Sequence, residues 1–204
     1  MTSTTTNPPP AATRARWRTV DIVVGAVLAV AFGVVFQAWS LLWNAIDPWS
    51  RLTFPPVAGL LVGMWLIAGV AAMLVLRKPG AVLFVETVAA VVSALLGSQW
   101  GVSTIVYGIV QGLAVELVFL AVRYRWWGLA PALLAGGLAG VAAAILDFVY
   151  FYGSWSLGWK AAYVAIVAGS GVVLAGGLAW VLVRALARTG VLAPFAAGRE
   201  QRAT

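Results

Sequence analysis

Three acidic side chains stand inside long apolar runs of this 204-residue chain: Glu86, Glu116 and Asp147. An ionisable group near the centre of a bilayer costs roughly 2.5–3.5 kcal/mol on insertion scales, so such a residue faces a bundle interior and is kept for proton handling, charge pairing or ligand contact. Asp21 and Asp47 fall at the ends of runs, where water is available. In GSQWG, Gly97 to Gly101, a tight turn between two apolar runs carries Gln99 and Trp100 where small polar residues would suffice.

Helical spacing sorts these groups. Glu86, Ala90, Ser93 and Gly97 recur at three and four residues, one helix face, and Trp100 continues that line into the turn. Tyr107 and Gln111 share a face, whereas Glu116 points about 140° away from Gln111 at 3.6 residues per turn. Gly136, Gly140, Ala143, Asp147 and Tyr150 form a stripe that is small at one end and polar at the other. Near the N-terminus, Gly25, Ala29 and Gly33 make a small-residue ladder that lets helix backbones approach closely. Gln37, Ser40 and Asn44 follow on nearly the same side, flanked by Trp39 and Trp43. Such helices pack tightly at one end and part around a polar cavity at the other. The strings AGGLAG, Ala135 to Gly140, and AGGLAW, Ala175 to Trp180, are placed to meet at similar depth on adjacent antiparallel helices.

The elements that must position these residues follow from composition. The chain is 63% apolar and 9% charged, against roughly 45–50% and 25% for an ordinary soluble domain. Six runs approach the 20 or so residues that cross a bilayer as a helix: Ile22 to Trp43, Val57 to Leu76, Ala81 to Leu96, Val102 to Val122, Leu129 to Tyr152 and Ala161 to Leu186, the third being short. The expectation is an all-α membrane protein, a six-helix transmembrane bundle over residues 19–190 with polar tails at 1–18, read as disordered, and 191–204. The apolar stretch after Trp17 runs too far for a signal peptide, whose core spans roughly 7–15 residues.

Charge sets the orientation, because Lys and Arg in short loops are retained in the cytoplasm. An inside N-terminus collects Arg14, Arg16, Arg18, Arg77, Lys78, Arg123, Arg125, Arg184, Arg188, Arg199 and Arg202 on the inner side. Only Arg51 and Lys160 remain outside. Both termini are therefore expected in the cytoplasm of a cell whose plasma membrane the chain crosses. The same asymmetry accounts for the net charge of +7 without nucleic acid, since no basic face or stacking platform is present.

Absences narrow the chemistry. Without His or Cys there is no Ser-His-Asp or Cys-His nucleophile system, no His-containing zinc site and no thiol redox chemistry. No stretch matches G-x-x-x-x-G-K-[ST], so ATP hydrolysis by a P-loop is excluded. No acid pair has metal-like spacing, and no cofactor is called for. Indoles, amides and isolated carboxylates suit a flat, nitrogen-rich ligand that can carry positive charge. The candidate ligand-binding residues are Trp39, Trp43, Asn44, Glu86, Gln99, Trp100, Tyr107, Gln111, Glu116, Asp147 and Tyr150. The Trp residues have a structural alternative as an interfacial belt, and Glu86 and Glu116 as partners of each other or of backbone.

Several strings resemble the YkoE-like substrate-binding (S) components of energy-coupling factor transporters, a thiamine- and hydroxymethylpyrimidine-related group. They are WRTVDIVVGAVLAVAFGVVF and WNAID around the first helix, RKPGAVLFVETVAA opening the third, LLGSQWG at the turn, YGIVQGLAVELVF in the fourth and RYRWWGL after it. The resemblance implies a subunit that captures a vitamin or its precursor from outside, while a separate transmembrane coupling protein and two ATPase domains supply energy. It further implies that the whole subunit tilts in the membrane to deliver its ligand. Gly25, Ala29 and Gly33 resemble the small-residue motif that meets the coupling protein, yet they lie near the side of Gln37 and Asn44, so internal packing is the alternative. Two other classes stand beside this one: a self-sufficient ion- or proton-coupled carrier, and an intramembrane enzyme using the buried carboxylates.

Overall fold

The computed structural model describes residues 16–195 together with Ala197 and Gly198. Most of the tails expected at 1–18 and 191–204 therefore lies outside the described residues, although Leu192 and Phe195 are buried against the bundle. The described residues form six consecutive helices and no strand. They are α1 (Thr19–Thr53), α2 (Pro55–Leu76), α3 (Ala81–Leu95), α4 (Ser103–Ala121), α5 (Leu129–Tyr150) and α6 (Leu157–Arg188). All except the shorter α3 are long and apolar enough to cross a membrane. One end of the bundle carries the start of α1 and the end of α6, and the Gly97–Gly101 turn lies at the other.

The first helix runs ten residues beyond Trp43, the end expected from hydropathy, and passes through Pro48. Polarity ends an apolar run without ending a helix. Asp47 and Arg51, one turn apart, pair at 2.7 Å and support the extra turns. At its start, Asp21 reaches back to accept from Arg18 N at 2.9 Å, placing an acid where the helix dipole favours one.

Helix α2 is the core of the bundle, buried over most of its length and through all of Ile67–Leu76. A helix apolar all round belongs inside. Its first half, Pro55–Leu66, is wound as a 3₁₀ helix, and facing it α6 opens into a π-helical stretch at Gly171–Leu178. A polar staple joins the two irregular segments: Ser170 Oγ donates to Leu60 O at 2.6 Å and accepts from Gly63 N at 3.0 Å.

Small residues set the remaining contacts. A Cβ on Gly136 would lie 2.2 Å from Gly171 O and 2.7 Å from Gly176 N, so the AGGLAG and AGGLAW strings do meet. Gly25, Ala29 and Gly33 pack against α3: a Cβ on Gly33 would fall 2.6 Å from Val92 Cβ, and one on Gly25 2.8 Å from Phe84 Cε1. This packing on α3 is the internal alternative for the ladder also expected as partner-binding.

Candidate functional site

A cavity of about 350 Å³ opens at the end of the bundle that carries the Gly97–Gly101 turn, and all six helices contribute to its lining. The turn is built for this. Gly97 and Gly101 adopt left-handed backbone angles (φ 93° and 54°) that fold the chain back within five residues, and the side chains between them, Ser98, Gln99 and Trp100, line the cavity. The amide and indole are wall, not connector.

Trp100 belongs to an aromatic cluster. Its ring centroid lies 5.2 Å from that of Trp65 on α2 and 6.2 Å from that of Trp43 on α1, while Trp43 and Trp65 stand 5.4 Å apart, all edge-to-face. Trp65 is fixed by its indole N–H, which donates to Phe36 O at 3.3 Å.

Asp147 on α5 supplies the charge. It is buried, and each oxygen accepts one phenol: Oδ1 from Tyr107 on α4 at 2.6 Å, Oδ2 from Tyr163 on α6 at 2.8 Å. The carboxylate is thus aimed by three helices, with further acceptor capacity on both oxygens. Near the rim, Asp47 and Arg51 form their ion pair beside Tyr152. Burial, reinforced by Asp147 and Asp47 and opposed by Arg51, pushes the Tyr152 phenol up to about 12.

Glu86 closes the lining eleven residues from Gly97, roughly 16 Å along α3 at 1.5 Å per residue. It is admitted by glycine. Gly69 on α2 leaves room for Oε2, and Gly108 and Gly112 on α4 let that helix pass close to the Glu86 backbone and Cβ. Glu86 Oε2 has no hydrogen-bond partner among the described residues, so the carboxyl group retains an unused acceptor. Gln111 lines the same cavity.

The fold therefore brings together eight of the expected ligand residues: Trp43, Asn44, Glu86, Gln99, Trp100, Tyr107, Gln111 and Asp147. It places three elsewhere. Trp39 donates to Leu61 O at 2.9 Å and joins α1 to α2. Tyr150 is half-exposed beside the Tyr107 ring. Glu116 lies toward the opposite end, where Oε1 accepts from Gly80 N at 2.7 Å and Tyr124 Oη at 2.8 Å, tying the α2–α3 turn to the α4–α5 loop. Burial, then that bond to Glu116, pushes the Tyr124 phenol up to about 12.

Known proteins share this arrangement. Residues 20–142 match the family model of the ABC-type cobalt transport system, permease component. A Bacillus subtilis (strain 168) protein described as an HMP/thiamine permease, YkoE, is 38% identical over 186 residues, 90% of this chain and 92% of the relative. A crystal structure of an S-component of an ECF transporter superposes with a TM-score of 0.86 at 37% identity, over 92% of this chain and 94% of that one.

The chain belongs to the S components of ECF transporters. It is a multi-pass membrane protein whose task is to bind a substrate, not to transform one. That role fits a cavity offering aromatic faces, amides and braced carboxylates. The amino-acid pattern does not point to Trp65, Tyr163, Tyr152 or the Asp47–Arg51 pair as parts of this S component's cavity lining. The usable signal was the rule that a buried phenol needs a hydrogen-bond partner, which would have sent Tyr163 looking for an acid.

Proposed function

We propose that this S component captures thiamine or its hydroxymethylpyrimidine precursor from outside the cell and passes it to a transmembrane coupling protein driven by two ATPase domains. The observation that carries the reading is Asp147, held by two phenols in a cavity that also presents Trp43, Trp65 and Trp100. A fixed carboxylate pairs with a cationic or amino-bearing heterocycle, and indole faces and edges suit a flat aromatic ring. The name of the Bacillus subtilis relative agrees with this chemistry.

Cobalt, named by the family model, suits the donor set poorly. The chain has no His or Cys, and among the described residues no three acids gather as a metal site would require. Orientation follows from the charge asymmetry, with the cavity facing outward and both termini cytoplasmic in the plasma membrane. Energy comes from the partners, since the chain has no P-loop; delivery by tilting of the whole subunit accords with a cavity confined to one end. Phosphate esters are disfavoured because the basic side chain in the lining, Arg51, is already paired with Asp47.

The test is Trp fluorescence of the purified, detergent-solubilised chain titrated with thiamine, hydroxymethylpyrimidine and thiamine monophosphate. Saturable quenching by either of the first two, weaker for the ester, is the expected result. A folded protein that responds to none of them overturns the ligand assignment.

A further inference from the structure

A second cavity, about 640 Å³, lies at the end of the bundle that carries the start of α1, between the end of α2, the α4–α5 loop, the start of α5 and the last turns of α6. Its character is opposite to that of the ligand cavity. Arg77, Arg125 and Arg184 line it, and among the described residues no acidic side chain does. Two of these arginines stack on indoles: the Arg184 guanidinium carbon lies 4.7 Å from the Trp180 ring centroid and that of Arg77 5.5 Å from Trp127. At Arg184 stacking holds the guanidinium by its face and directs its in-plane N–H groups sideways, the geometry that meets a phosphate, whereas Arg77 already donates Nε–H to Leu74 O at 3.4 Å. The start of α5, at Gly128, opens into the same space and adds the positive end of a 22-residue helix. Glu116 is not in the lining and is engaged by Gly80 and Tyr124.

The apolar surroundings select among anions. Along α5, Leu134 and Leu138 continue the face of Ala130 at intervals of four, exposed at 65% and 42%, and Val181 beside Trp180 is exposed at 54%. In a membrane protein such side chains meet acyl chains. We propose that this cavity seats the phosphate of an anionic phospholipid from the adjacent leaflet, with its acyl chains lying along Leu134 and Leu138. Basic pockets between transmembrane helices hold anionic headgroups in this way. The inference does not depend on which substrate fills the first cavity.

Native mass spectrometry of the full chain in detergent, with dihexanoyl-phosphatidylglycerol, dihexanoyl-phosphatidylcholine or inorganic phosphate added at equal concentration, tests the proposal. Phosphatidylglycerol should bind more tightly than either other probe, and R125Q combined with R184Q should weaken it about tenfold or more. Arg188→Gln, an exposed residue outside the lining, should change nothing. Equal binding of phosphatidylcholine, or an unaffected double variant, overturns the site, and inorganic phosphate binding as tightly as the lipid overturns the lipid as its occupant. If the double variant does not fold, the exposed Arg184→Gln carries the same comparison alone: weaker phosphatidylglycerol binding supports the site and unchanged binding overturns it.

Discussion

Tyr163 on α6 donates its hydroxyl to Asp147 Oδ2 on α5 at 2.8 Å, and this bond holds the acid of the ligand cavity in one orientation. Tyr107 takes the other oxygen from α4. Hydrogen bonds to charged groups are worth about 1.5–3 kcal/mol, so Asp147→Asn should weaken a cationic ligand by roughly 10- to 150-fold. Tyr163→Phe leaves the charge and removes one brace. It should cost about 1–3 kcal/mol of stability and weaken the ligand less. Calorimetric titration with thiamine together with thermal midpoints separates the two, and equal ligand loss in both variants would contradict the division of roles.

Trp100 and Trp39 are both indoles near amides in the sequence, yet one lines the cavity and the other bonds to Leu61 O outside it. Trp100→Ala removes a wall of the aromatic cluster, and a desolvated cation–π contact is worth about 2 kcal/mol. Affinity for a cationic ligand should drop about tenfold or more. Trp39→Phe should shift the thermal midpoint and leave affinity nearly intact. Quenching titrations on both variants check this, and a comparable affinity loss in Trp39→Phe would place the ligand elsewhere.

The contrast between those two indoles marks the boundary of what the sequence discloses. The line from Glu86 through Ser93 to Trp100 is local, fixed by helical period along one element, and the fold keeps it on the cavity wall. The six helices were legible for the same reason, since hydropathy along a run needs no tertiary information. Trp65, Tyr152 and Tyr163 reach the cavity only through helix packing, and no period within their own elements points there. Glu116 shares the chemistry of Glu86, but a backbone N–H 36 residues away in sequence claims it. The 3₁₀ winding of Pro55–Leu66 and the π stretch of α6 also escape, because Ser170 and Gly63 agree on them across 107 residues.

Alkaline pH should expose the two loop tyrosines. Tyr152 and Tyr124 are each held near 12 in the folded protein, by burial first and then by neighbouring carboxylates, whereas a free phenol titrates at about 10. Raised folded values favour the neutral phenols. Their stabilisation is complete below about pH 10, where both states are protonated, and is lost between about 10 and 12 as the unfolded chain ionises first. The thermal midpoint should stay flat from neutrality to about pH 9 and then fall. Tyr152→Phe combined with Tyr124→Phe should make that fall shallower; an unchanged slope would assign alkaline loss to other groups.

Gly136 and Gly169 provide the sharpest contrast in packing. The first faces α6 so closely that an added Cβ would sit 2.2 Å from Gly171 O, a backbone atom that cannot swing aside, whereas around Gly169 nothing lies within 4 Å. Gly136→Ala must therefore push α5 and α6 apart, and overpacking of this kind costs about 1–3 kcal/mol or more. The same substitution at Gly169, inside a helix with open space beside it, only removes the flexibility of glycine and should stabilise by roughly 0.5–1 kcal/mol. Because the seam runs from Gly136 toward Gly140 and continues along α5 to Asp147, separation of the helices should also lengthen the Asp147 to Tyr163 bond. Gly136→Ala is then expected to lose ligand affinity along with stability, while Gly169→Ala keeps both. Thermal midpoints and thiamine titrations of the two variants decide it, and a Gly136→Ala protein as stable as the parent would mean that the close approach of α5 and α6 is not what holds them.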